Sequence, residues 1–232
     1  MRRLGKIFAR AICMVLAVPA LYALYILLTP VSLGKLPPLR DGDLVFQTIR
    51  TGQSLAINFA TLSPYTHVGI VKMEGTSPVV VEAVGPVREI PLDAWIKQGV
   101  GDRFAVARMK GLSKQQAASA LAAARGYFGR PYDFYFLSGD DEIYCSELVY
   151  KAFRDGPDIA LGKEQKVGDL FVRNFAVRAL IEQRWQTYPP CNGVKDFNAC
   201  YDRVMAQPLV SPASVYADSK LERIYSNYGV FR

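Results

Sequence analysis

Cys145 stands where the polar, acidic stretch Asp140-Asp141-Glu142 gives way to the amphipathic run "YCSELVYKAF". A thiolate at that point could attack a carbonyl. A helix N-terminus places unpaired N–H groups and a positive partial charge beside the sulfur, which lowers a thiol's pKa. Such a nucleophile needs a base, and the whole chain has one histidine, His67 in "THVGIV". Taken singly, each residue has an ordinary explanation as a small buried thiol or a satisfied imidazole. If the chain is a cysteine hydrolase, these two residues must be its nucleophile and base.

An imidazole base works best when a third polar group holds its second nitrogen. Glu82 is the candidate, because Val80, Val81, Ala83 and Val84 around it are all apolar, an odd setting for a merely solvated carboxylate. "HVGIVKM" and "VVVEAV", separated by "EGTSP", read as a hairpin. A two-residue turn at Glu74-Gly75 sets His67 directly opposite Glu82, with Cβ atoms roughly 5 Å apart. A turn made of all of "EGTSP" sets Ile70 opposite Glu82 and puts the pair on opposite faces. Register thus decides whether a triad can exist.

The backbone N–H of Cys145 is the natural first donor to an oxyanion. Tyr132 in "RPYDFYF" is a candidate second donor, with aromatic packing as its alternative role. Asp43 in "DGDL" and Tyr144 complete the candidate oxyanion and substrate group, Asp43 reading better as a structural carboxylate at a strand entry. Glu147 reads as a first-turn charge favouring the helix dipole. Phe134, Tyr135 and Phe136 could be core or the wall of an acyl site.

The elements that must position these residues follow from pattern. "LPPLRDGDLVFQ" is an extended linker entering a strand near Asp43 to Phe46, and residues 52–62 have helical apolar spacing at Leu55, Ile57, Phe59 and Leu62. Phe104 to Lys110 is a further strand. Ser113 with Gln116 resembles a capping box opening a helix that Gly129 and Pro131 stop. A second helix runs from Tyr144 to Phe153, with Leu148, Val149, Ala152 and Phe153 continuing a buried stripe begun by Cys145. The class is α+β.

The 232 residues suffice for one core. Arg2, Arg3, Lys6 and Arg10 precede eighteen uncharged apolar residues from Ala11 to Leu28, long enough to span a bilayer. Positions 1–34 are therefore expected to be a signal anchor, or a cleaved signal peptide, plus linker. Positions 35–232 form the single domain. The positive flank would stay in the cytoplasm, leaving the domain exported, anchored in the inner membrane and facing the periplasm. Beyond position 30 the chain has 24 basic against 21 acidic residues and no basic block interleaved with aromatics, which argues against a nucleic-acid partner. Cys191 and Cys200 bracket "NGVKDFNA" and are expected to form a disulfide in an exported compartment, two free thiols being the alternative. With one histidine and no CxxC, no metal or other cofactor is expected.

"RDGDLVF", "THVGIV", the isolated Glu of "VVEAV", "RPYDFYF", "YCSELVYKAF" and "SPASVYADSKLERIY" occur in an order that resembles the YiiX/YebB-type permuted papain-like hydrolases of the NlpC/P60 superfamily. The resemblance implies a circularly permuted papain-like fold, its antiparallel sheet packed on the cysteine helix, with Cys145 as nucleophile, His67 as base and Glu82 as orienting carboxylate. Residues 163–207 depart from the pattern and read as an insertion. The implied substrates are cell-wall peptides or related amides, the alternative being acyl lipids, with an inactive binding module as a third reading. An apolar cleft at Cys145 would favour an acyl chain, and a polar one a peptide.

Overall fold

The computed structural model describes residues 36–228; the expected membrane anchor or signal peptide lies outside them. Six antiparallel strands form the main sheet in the order β4-β3-β2-β1-β5-β8. They are β1 (Leu44–Ile49), β2 (His67–Glu74), β3 (Ser77–Glu82), β4 (Arg88–Pro91), β5 (Gly99–Met109) and β8 (Leu221–Ser226). The strand expected at Asp43 to Phe46 is β1, extended to Ile49, and the one expected at Phe104 to Lys110 is the second half of β5.

Both faces of the sheet are covered. Alternation sends Leu44, Phe46, Val68, Ile70 and Val81 toward α4 (Cys145–Asp155), and Val45, Val71, Val80 and Val106 toward α2 (Leu92–Gln98) with its buried Trp95. On α4 the predicted stripe of Cys145, Leu148, Val149, Ala152 and Phe153 is buried, and so are Ser146, Glu147 and Lys151. Glu147 meets Lys151 at 2.9 Å, so its charge is paired inside the fold. Helix α3 (Lys114–Arg125) packs on α4 and opens with the expected box, in which Ser113 Oγ accepts from Gln116 N–H and Gln116 Oε1 from Ser113 N–H.

Helix α1 (Ser54–Thr61) occupies the expected stretch, but its apolar spacing does not face the core. Leu55, Phe59 and Leu62 are exposed while Ala56 is buried. The small face turns inward because α1 packs against α5 (Phe175–Arg184), and Ala60 O accepts the N–H of Phe171.

The region that departs from the resemblance has its own apolar cluster. A short ribbon, β6 (Glu164–Lys166) with β7 (Pro208–Val210), closes a loop carrying α5 and α6 (Phe197–Ala206). Val172, Val177, Ile181 and Val204 pack there with Cys191 and Cys200, which are joined as a disulfide. A last short helix, α7 (Pro212–Tyr216), leads into β8.

Candidate active site

The β2–β3 hairpin has neither of the two registers weighed above. Glu74 pairs with Ser77 and Ile70 with Val81, so the turn is Gly75-Thr76. Gly75 takes φ +62° at the first turn position, a conformation that favours glycine. One further step along the ladder sets Gly69, not His67, opposite Glu82. His67 and Glu82 are then diagonal neighbours on one face, a separation that long side chains bridge. They do so: Nε2 of His67 lies 2.8 Å from Oε2 of Glu82. Gly69 between them lets the strands pack closely against Val80 and Trp95. A Cβ there would meet Val80 Cγ1 at 2.4 Å.

Glu82 is fully buried and its other oxygen is also occupied. Arg88 donates to Oε1 through Nη2 at 3.1 Å and Nε at 3.2 Å, and Gln98 donates through Nε2 at 3.2 Å. Burial pushes the carboxyl pKa up, yet His67, Gln98 and Arg88 outweigh it and hold the group below its ordinary value. Arg88 and Gln98 carried no signal in the sequence, since nothing local points to a shared partner. Trp95 stacks on the imidazole with centroids 5.9 Å apart.

His67 Nδ1 is buried without a hydrogen bond of ordinary geometry. The nearby group that acts on the ring is Cys145, at the first residue of α4. Its Sγ sits 3.9 Å from Thr66 O, at the end of β2 where His67 begins. Burial lowers the imidazole pKa, but Cys145 and Glu82 together raise it to about 9. Burial likewise raises the thiol pKa, and His67 reverses this to leave the thiol below its ordinary value. The two opposed shifts both favour the thiolate–imidazolium form of the pair.

The remaining candidates divide. Tyr132 is buried beside this pair, and its oxygen accepts a hydrogen bond from Gln53 Nε2 at 3.1 Å, so the hydroxyl proton is available to another acceptor. Burial and then the charge of Cys145 hold it well above the ordinary tyrosine pKa. Gln53 is in turn held by Arg184 of α5 at 3.2 Å, a link from the 163–207 region that sequence reading missed. The Tyr144 oxygen accepts the N–H of Val210 at 3.1 Å, and its side chain, at the residue before α4, lines the same space as Cys145. Asp43 is not brought to the site. Its oxygens accept Arg108 Nε and Nη2, each at 2.7 Å, and the Arg40 N–H.

Cys145 and Tyr132 open onto a cavity of about 120 Å³. Ile57 of α1 and Val172, Leu180 and Val204 of the 163–207 region line it, and the lining contains no Asp, Glu, Lys, Arg or His.

The sequence profile of the permuted papain-like amidase enzymes, the YaeF/YiiX C92 family, matches residues 38–225. The chain belongs to this family. A C92 relative, the uncharacterized protein YiiX of Escherichia coli strain K12, is 32% identical over 193 residues, covering 83% of this chain and 89% of that protein. The crystal structure described as metalloprotein yiiX from Escherichia coli O157:H7 superposes with a TM-score of 0.73 at 33% identity, covering 82% of this chain and 98% of that one. The C92 fold expected from the motif order is thus the fold present.

Proposed function

We propose that the chain is a thiol amidase in which Cys145 is the nucleophile, His67 the base and acid, and Glu82 the group that orients His67. One observation supports this most: the only histidine has one nitrogen on a buried carboxylate and leaves the other to a thiol at a helix start. The Cys145 thiolate adds to a substrate carbonyl carbon, and the tetrahedral oxyanion takes hydrogen bonds from the Cys145 N–H and the Tyr132 hydroxyl. His67 gives its proton to the leaving amine as the C–N bond breaks, leaving an acyl-thioester. Water, deprotonated by His67, then adds to the thioester carbonyl and expels the thiolate, releasing the carboxylic acid and restoring the thiolate–imidazolium pair. Cell-wall peptides are the amide substrates that fit export, and acyl lipids are favoured instead by the apolar cavity.

The relative's description as a metalloprotein does not transfer through this donor set. Among the described residues no three His, Cys, Asp or Glu side chains are arranged to hold a metal ion, and both Glu82 oxygens already take part in hydrogen bonds. The chemistry above uses protein groups alone.

We also infer that the domain is exported and held at the inner membrane. The positive flank and apolar run at positions 2–28 support this, and a disulfide suits an oxidising compartment. Among the described residues no helix is long and apolar enough to cross a membrane. Protease accessibility in spheroplasts tests the placement; a domain digested only after lysis of the inner membrane would contradict it.

The chemical test is iodoacetamide labelling of the wild type, His67→Ala and Cys145→Ala, followed by incubation with muropeptides and phospholipids. Labelling at Cys145 is expected to depend on His67. Equal rates with and without the imidazole would overturn the triad.

A further inference from the structure

We infer that the 163–207 region builds an acyl-binding chamber on Cys145, so that the preferred substrate presents an unbranched, uncharged acyl group of about five or six carbons to the thiol; this rests on Cys145 being the nucleophile. The chamber is a composite. Cys145, Tyr132 and Ile57 supply one side, and Val172, Leu180 and Val204 supply the other. The second set lies in a segment with its own apolar cluster and disulfide, held to the site side by Arg184 on Gln53 and Phe134 O.

Three properties select the ligand. Apart from the Cys145 thiolate no lining residue is charged, so a carboxylate in the acyl part would be desolvated there beside another anion and without a counterion. The volume, about 120 Å³, approaches that of an engineered apolar cavity of about 150 Å³ that takes up benzene. Cys145 itself is only 2% exposed and forms part of the lining. Direction follows from the reaction. The acyl group is bonded to sulfur from the end of the first half-reaction until water releases it, whereas the leaving group must depart and water must enter; an apolar chamber at the sulfur suits the part that stays.

The test uses the full chain in a non-ionic detergent and 4-nitrophenyl esters, which acylate a thiolate by adding it to the carbonyl carbon with loss of nitrophenolate. Each buried methylene contributes about fourfold, so the four that separate hexanoate from acetate are expected to raise kcat/KM by about two hundredfold when all are buried. Succinate half-ester, which carries a charge in the acyl part, is expected to be poorer than acetate. Leu180→Trp fills the chamber and should bring the hexanoate-to-acetate ratio toward one; Leu180→Ala enlarges it and should move the optimum to octanoate. A ratio near one in the wild type, or ratios unmoved by both substitutions, overturns the chamber while leaving the thiol reading intact. No acylation by any ester, together with iodoacetamide labelling that ignores His67, removes both.

Discussion

His67 and Glu82 meet diagonally across a glycine: Nε2 and Oε2 are 2.8 Å apart although Gly69 occupies the position facing Glu82. The contact fixes the tautomer, because Glu82 is buried, held ionised by His67, Gln98 and Arg88, and accepts a hydrogen bond from Nε2–H. Glu82→Gln keeps the shape and removes the charge, so amide turnover is expected to fall by about a hundredfold. A loss of less than threefold, with folding unchanged by circular dichroism, would contradict the orienting role.

The same coupling sets a pH profile. Below the depressed pKa of Cys145 the thiol is protonated and silent; above it, thiolate and imidazolium coexist until His67 loses its proton near 9. Iodoacetamide labelling is therefore expected to rise at a pH below the ordinary thiol value of about 8.5. Turnover should add a basic limb near 9, where the proton needed by the leaving amine is gone. In His67→Ala the labelling limb should move upward, since burial is then opposed only by the Val68 N–H and Ser146. Rates measured from pH 5 to 10 decide this.

Gly69→Ala isolates packing from chemistry. The added methyl carbon would lie 2.4 Å from Val80 Cγ1 and 3.0 Å from Val81 O, so β2 and β3 must move apart. A loss of about 1–3 kcal/mol is expected in urea unfolding. Labelling of the folded variant should also slow, because the same displacement lengthens the diagonal contact.

Tyr132→Phe separates two reactions at one sulfur. Alkylation by iodoacetamide occurs at a saturated carbon and develops no carbonyl oxyanion, whereas ester or amide attack does. Labelling is expected to persist while acyl transfer falls by about a hundredfold. If both fall together, Tyr132 is acting through packing with Phe134 and Gln53 rather than as a donor.

Cys191 and Cys200 close a short loop, for which chain entropy gives about 2.7 kcal/mol of stabilisation. Replacing both with serine is expected to lower the unfolding midpoint, read by calorimetry with and without reductant. Reductant should leave the midpoint of the double variant where it is and lower that of the wild type.

Much of the site was legible because its chemistry is written in residue identity. A single histidine, a cysteine opening an amphipathic helix and a carboxylate among valines named the three groups, and their order named the family. Strand and helix periodicity located β1, β2, β3, α3 and α4 to within a few residues, since burial of one face dictates it locally. Spacing could not choose the register, because sheet pairing depends on which residue of "EGTSP" adopts the left-handed turn, and Gly75 made a third choice that neither estimate included. The inward face of α1 was misjudged for a related reason: Ala56 and Ala60 face their neighbours because α5, more than a hundred residues later, needs close approach there. Arg88 and Gln98 on Glu82, Arg184 on Gln53, and the chamber walled by Leu180 and Val204 all join residues distant in the chain. The sequence by itself determined which atoms could react; long-range packing decided how they are oriented and what they can reach, because those depend on contacts between segments that carry no mark of each other.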